Sequence, residues 1–245
     1  GRPLPAPPES EAALLLDVEG RSSSHALAAA EGLRDQFRSM GAVEAIVALG
    51  SSHEAELWML RHAASPAIAR LDPALRSMQF IEDAAVPPSS LATYVRGVRA
   101  ILSRYDTRGV IFGHAGDAHV HVNPLMDTRR PDWRERLEGI LVAVTDLVAD
   151  LGGTLTGEHG DGRLRTPLMD RVWRADERRL FAAIKDAFDP SNVLNPRVKV
   201  PLRGQRAVDV IKYDPRLKQL PDKAAAALAT VERERAYDRH RLDLL

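Results

Sequence analysis

The stretch Gly113-His114-Ala115-Gly116-Asp117-Ala118-His119-Val120-His121-Val122-Asn123-Pro124 places three histidines and an asparagine within ten residues, between apolar runs. Gly116-Asp117 is a two-residue hairpin signal between β-rich segments. With that turn, His114 lies opposite His119, and Phe112 opposite His121. Residues directly opposite share a face, as do residues i and i+2. His114, His119, His121 and Asn123 therefore project from one side, and Ile111, Val120 and Val122 from the other. One side is core; the other is a cluster of ligands, in which His114 and His121 are diagonal neighbours able to share a metal ion. A single strand histidine is commonly just a polar-face residue. Three on one side need a reason, and neutral imidazole is the commonest metal ligand.

A second stretch supplies one. In Gly152-Gly153-Thr154-Leu155-Thr156-Gly157-Glu158-His159-Gly160-Asp161-Gly162-Arg163, adjacent Glu158 and His159 are embedded in glycines, which permit close backbone approach. A carboxylate with two histidines is a common metal shell that leaves positions for substrate.

These two motifs, followed by Phe188-Asp189-Pro190-Ser191-Asn192-Val193-Leu194-Asn195-Pro196, resemble the C-terminal domain of FAD-linked oxidases of the vanillyl-alcohol oxidase type. That family includes the D-lactate, glycolate and D-2-hydroxyglutarate dehydrogenases, and the resemblance spans roughly residues 10 to 200. It implies that His114, His121 and Glu158 hold a divalent metal (zinc, manganese or iron) and that His159 is the catalytic base. It implies a substrate-carboxylate arginine at Arg61, within Leu57-Trp58-Met59-Leu60-Arg61, since a guanidinium grips a carboxylate through a bidentate fork. Asn123 joins it as a substrate-binding residue. Asn195 is implied to approach the flavin ring. The chain departs from the family in two places. Ala118-His119 stands where relatives usually have Gly-Asn, so His119 could be an extra ligand, a flavin contact or neither; we group it with the cofactor contacts. Phe80-Ile81-Glu82-Asp83 lacks the lysine many relatives carry before this aspartate, leaving Arg76 or Arg163 as substitutes.

The 245 residues, 44% hydrophobic, support a real core in one large or two small domains. Thirty-four basic and 34 acidic residues cancel, so no charge footprint points to nucleic acid. Cysteine is absent, which excludes disulfides, cysteine-based zinc sites and iron–sulfur ligation within this chain. No run of about eighteen apolar residues occurs, and the chain reads as cytoplasmic, at most peripheral to a membrane. No dinucleotide-binding or Walker glycine loop is present either. FAD would thus be held mainly by an N-terminal domain outside this chain, as the resemblance also implies.

Along the chain, residues 1–10, with prolines at 3, 5, 7 and 8, read as a linker and residues 11–200 as the domain. Strands are expected at Ala12–Glu19, Glu44–Leu49 and Met78–Val86. Helices are expected after Ser22–Ser24 (stripe Leu27, Ala30, Leu33, Phe37), after Ser51–Ser52 (Ala55, Trp58 and Met59 inward), and over Pro88–Arg104, Arg134–Leu151 and 177–188. The β-α-β-α order predicts an α+β fold: a ferredoxin-like antiparallel sheet with helices on one face. Residues 201–245 read as a polar connector and a charged helix, Ala224–Leu244, which the resemblance would lead toward an iron–sulfur domain.

With that resemblance, the chain reads as the substrate- and metal-binding domain of an FAD-dependent dehydrogenase that oxidises a D-2-hydroxy acid, of the lactate, glycolate or 2-hydroxyglutarate class, to the 2-oxo acid. The alternatives are a metal-dependent hydrolase built on His114, His121 and Glu158, and a non-catalytic interaction domain.

Overall fold

The computed structural model describes residues 10–68, 75–211 and 220–234. The chain divides into two compact units, Gly1–Ser77 and Met78–Leu245.

The first unit holds α1 (Ser23–Ser39), α2 (Ser51–Ile68) and the two-residue strand β1 (Arg76–Ser77). Ser22 caps α1, its hydroxyl accepting from His25 N–H at 3.3 Å, and Gly41 ends it with φ 92°. The expected stripe of Leu27, Ala30, Leu33 and Phe37 is half-buried. The two expected strands do not form. Neither Ala12–Glu19 nor Glu44–Leu49 has a ladder partner among the described residues; with α1 they line an apolar groove, leaving Leu14 62% and Ile46 44% exposed. Strand propensity alone cannot make a strand whose backbone finds no neighbour. On α2, Ala55, Trp58 and Met59 are exposed rather than inward, because its polar and apolar residues do not sort into two sides. Most of the proline-rich 1–10 lies outside the described residues.

The second unit is α+β and carries the site. Strand β2 is Ala84–Ala85, β3 Arg108–His114 and β4 His119–Met126. β4 is central, antiparallel to β3 on one edge and to β2 on the other. The β3–β4 register is the expected one, with His114 opposite His119, Phe112 opposite His121 and Val110 opposite Asn123. The connection is a four-residue loop, 115–118, rather than the two-residue turn expected at Gly116-Asp117. Ala115–Asp117 form a 3-10 turn, Ala118 N–H donates to the Ala115 carbonyl (3.2 Å), and Ala118 is left-handed at φ 50°.

Behind the sheet pack α3 (Leu91–Arg104) and α4 (Trp133–Asp150). Tyr94, Val98, Leu137, Ile140, Val144 and Val148 join Val120 and Val122 in one core. Each such aliphatic side chain contributes roughly 1.5–3 kcal/mol of burial, which fixes the opposite, histidine-bearing face of β4 outward from this layer. Short helices α5 (Gly162–Arg165) and α6 (Met169–Val172) follow, then α7 (Ala175–Phe188). Last among the described elements, α8 spans Asp222–Glu234; the rest of the expected charged helix lies outside the described residues.

The expected strand Met78–Val86 borders β4 only at its ends, where Met78 N–H donates to Pro124 O (2.9 Å) and Ala84 and Ala85 pair with Val120 and His119. Between them the backbone leaves the ladder. That break delivers Glu82 and Asp83 to the histidine face.

Candidate metal and substrate site

The site is a three-sided construction: the β3–β4 hairpin, the break at Glu82–Asp83, and the glycine-rich loop 152–160. The loop is stitched to β2 through reciprocal bonds between Ala85 and Thr154 (3.1 and 2.8 Å), and Gly157 N–H donates to the Asp83 carbonyl at 2.7 Å. Gly157 must be glycine here, since a Cβ would sit 2.7 Å from the His119 ring.

Asp83 is the fixed point. It is fully buried, and its carboxylate accepts from Thr156 Oγ1 (2.5 Å), His119 Nε2 (2.9 Å), His159 N–H (3.0 Å) and Glu158 N–H (3.2 Å). Burial pushes its pKa up, but these four hydrogen bonds prevail and hold it below the ordinary carboxylate value. Arg165, itself buried, adds positive charge 3.9 Å from Asp83 and 3.7 Å from Glu82, while donating to Gly160 O at 2.9 Å.

His121 and His159 are each given a defined tautomer. The Glu82 carbonyl can only accept, so His121 Nδ1 (2.8 Å away) carries the proton and Nε2 keeps its lone pair, 3.3 Å from Glu158 Oε1. Likewise His159 Nδ1 faces Glu82 Oε1 at 3.0 Å, freeing Nε2, 3.3 Å from Glu158 Oε1. The hydrogen bond to Glu82, with the charges of Asp83, Glu82 and Glu158, raises the His159 pKa despite some desolvation. His114 stands beside them, its ring centroid 5.5 Å from that of His121.

Two overlapping groups could take a metal: His114, His119, His121 and Glu158, or Asp83, His121, Glu158 and His159. In each, the ligand atoms lie within 4.8 Å of one another. The three residues expected as ligands are thus brought together, with the expected base adjacent. Asn123 lies on the same face of β4, buried, and its Oδ1 has no hydrogen-bond partner among the described residues.

Other expected residues fall elsewhere. Arg61 on α2 and Arg76 on β1 belong to the first unit, the histidines to the second. Arg163 is exposed and turned to the Pro196 carbonyl (3.2 Å). Asn195, left-handed at φ 47°, is exposed beside Val193 and Leu194, in a loop held by the Asp189 carboxylate through Val193 N–H (2.9 Å) and Leu194 N–H (2.8 Å). Asp83, Thr156 and Arg165 were not expected. An acidic pair ending an apolar run was the available signal for Asp83; a buried arginine leaves none.

Residues 2–198 match the family described as FAD linked oxidases, C-terminal domain. The chain belongs to that family. It is similar to glycolate oxidase subunit GlcD of Bacillus subtilis, 38% identical over 56% of this chain and 28% of that protein, and of Escherichia coli, 31% identical over 80% and 38%. It is also 33% identical to D-2-hydroxyglutarate dehydrogenase of Pseudomonas putida, over 61% of this chain and 15% of that protein. The chain therefore spans well under half the length of these relatives. A 4-ethylphenol oxidase from Gulosibacter chungangensis shares the fold, with a TM-score of 0.51 and 19% identity over 71% of this chain and 36% of that one. Among the described residues, no helix is long and apolar enough to cross a membrane.

Proposed function

We propose that this FAD-oxidase C-terminal domain is the substrate- and metal-binding part of a dehydrogenase that oxidises a D-2-hydroxy acid, of the lactate, glycolate or 2-hydroxyglutarate class, to its 2-oxo acid. The observation that carries the reading is the convergence of His114, His121 and Glu158 within 4.8 Å, with the free Nε2 of His159 beside them. Family membership supports the flavin, and the relatives' names support the substrate class.

The residues fit a divalent ion. Two imidazoles and a carboxylate form the donor set, and the Glu82 carbonyl pre-sets His121 to present Nε2. When bound, the ion supplies Lewis acidity that lowers the substrate hydroxyl pKa, and FAD supplies the hydride acceptor. His159 then takes the hydroxyl proton at Nε2, with Glu82 stabilising the imidazolium through Nδ1–H as the Cα hydride leaves. Asn123 offers its unpartnered amide oxygen to a donor in the site. Arg61 is assigned the substrate carboxylate on its helix motif alone. Asn195, exposed at the loop that follows α7, is assigned to the flavin ring, and the rest of FAD to an N-terminal domain of the same polypeptide. An iron–sulfur domain downstream would receive the electrons.

The test is turnover of a panel of D- and L-2-hydroxy acids by the holoprotein with an artificial electron acceptor. We expect reduction with a D-2-hydroxy acid. Hydrolytic activity without flavin, or no turnover of any 2-hydroxy acid, would contradict the assignment.

A further inference from the structure

His119 makes a specific pattern of contacts. It is buried, its ring stacks 5.6 Å from His114 and meets His121 edge-on at 4.6 Å, and its Nε2 lies 2.9 Å from Asp83 Oδ1. An ionised carboxylate only accepts, so Nε2 carries the proton and the lone pair of the neutral ring sits on Nδ1. The Cδ2–Nε2 edge is packed against Gly157 and Asp83, and no hydrogen-bond donor approaches Nδ1 among the described residues. This is the arrangement in which a carboxylate orients a histidine toward a metal.

We infer that His119 is a fourth protein ligand of the metal, binding through Nδ1 and oriented by Asp83. The inference rests on the metal-site reading above and adds a fourth protein residue to it. The rival group uses Asp83 and His159 in place of His114 and His119. Asp83 is poorly placed to serve a metal, because its four acceptor positions are already taken by Thr156, His119 and the backbone N–H groups of Glu158 and His159. His114, by contrast, has ring contacts with His119 and His121 and no hydrogen bond among the described residues, so both of its nitrogens are available. The metal is thereby assigned to the hairpin side, and His159 stays free to act as base.

The holoprotein, stripped by a chelator and titrated with Co2+, tests this. His119→Asn, which removes the imidazole and keeps a polar side chain, should weaken Co2+ binding at least about ten-fold and alter the d–d spectrum, while His121→Ala abolishes tight binding. X-ray absorption on the wild-type Co2+ form should count three imidazoles, a readout that does not depend on any variant folding. Unchanged affinity and spectrum in His119→Asn, or two imidazoles in the wild type, would overturn the inference while the loss in His121→Ala left the metal site standing. If both variants bound Co2+ like the wild type, the metal reading itself would fail, and this inference with it.

Discussion

Neighbouring carboxylates Glu82 and Asp83 divide the work of the site. Asp83 serves structure alone, gathering four donors from two segments, β4 and the glycine-rich loop. Glu82 uses its carbonyl to set His121 and its side chain to set His159. If His159 is the base, His159→Asn should lower kcat by about 10²–10⁴-fold with metal and flavin retained; a variant that turns over normally would remove it from the reaction. Ala118 offers a separate check. It occupies a left-handed conformation that costs a side-chain-bearing residue roughly 1–2 kcal/mol, partly offset by the extra unfolded-state freedom of glycine. Ala118 is also fully buried in the core, and losing its methyl costs about 0.8 kcal/mol, so Ala118→Gly should change stability in urea unfolding by less than about 1 kcal/mol; a clearly larger destabilisation would show that the turn is not strained. The clustered hairpin histidines were legible as residues because alternation alone sorts a strand into faces. Arg165 was not, since nothing in a sequence marks which arginine is buried.

At the scale of elements, the β3–β4 hairpin was readable down to its register, because the two-residue spacing and the alternating pattern agree. Helices α1, α3, α4 and α7 were readable from their apolar stripes and stops. The break at 79–83 was hidden, since an apolar run ending in Glu82-Asp83 looks the same whether its backbone stays in a ladder or leaves it to carry a carboxylate inward. Strands 12–19 and 44–49 failed for a related reason: sequence reports propensity, and pairing is a property of what lies alongside. The loop after α7 makes a pH prediction. Asp189 is held below its ordinary pKa, chiefly by Lys185, with the Val193 and Leu194 amides helping against desolvation. A depressed carboxylate contributes stability that is present above its unfolded pKa, about 3.9, and is lost as pH falls through the folded value. The wild type should therefore lose stability more steeply than Asp189→Asn as pH drops below about 4. Parallel acid-unfolding curves for the two would contradict this loop anchor.

For the whole molecule, the family and the α+β class were legible where the full set of strands was not. Three short motifs, in order, pointed to the family that residues 2–198 match, while the expected strands 12–19 and 44–49 did not form and 78–86 kept strand only at Ala84–Ala85. The motifs survive because chemistry needs particular side chains at particular spacings, whereas a strand tolerates many sequences and takes its pairing from its surroundings. The central claim is that a divalent ion on the hairpin histidines and Glu158 makes the 2-hydroxy acid ready to give up its hydride. The most direct measurement is anaerobic bleaching of the flavin absorbance by a D-2-hydroxy acid, followed by stopped flow in the metal-loaded, chelator-stripped and metal-restored holoprotein. The account predicts fast bleaching with metal, severe slowing without it and recovery on restoration. Equal bleaching rates in all three would contradict it.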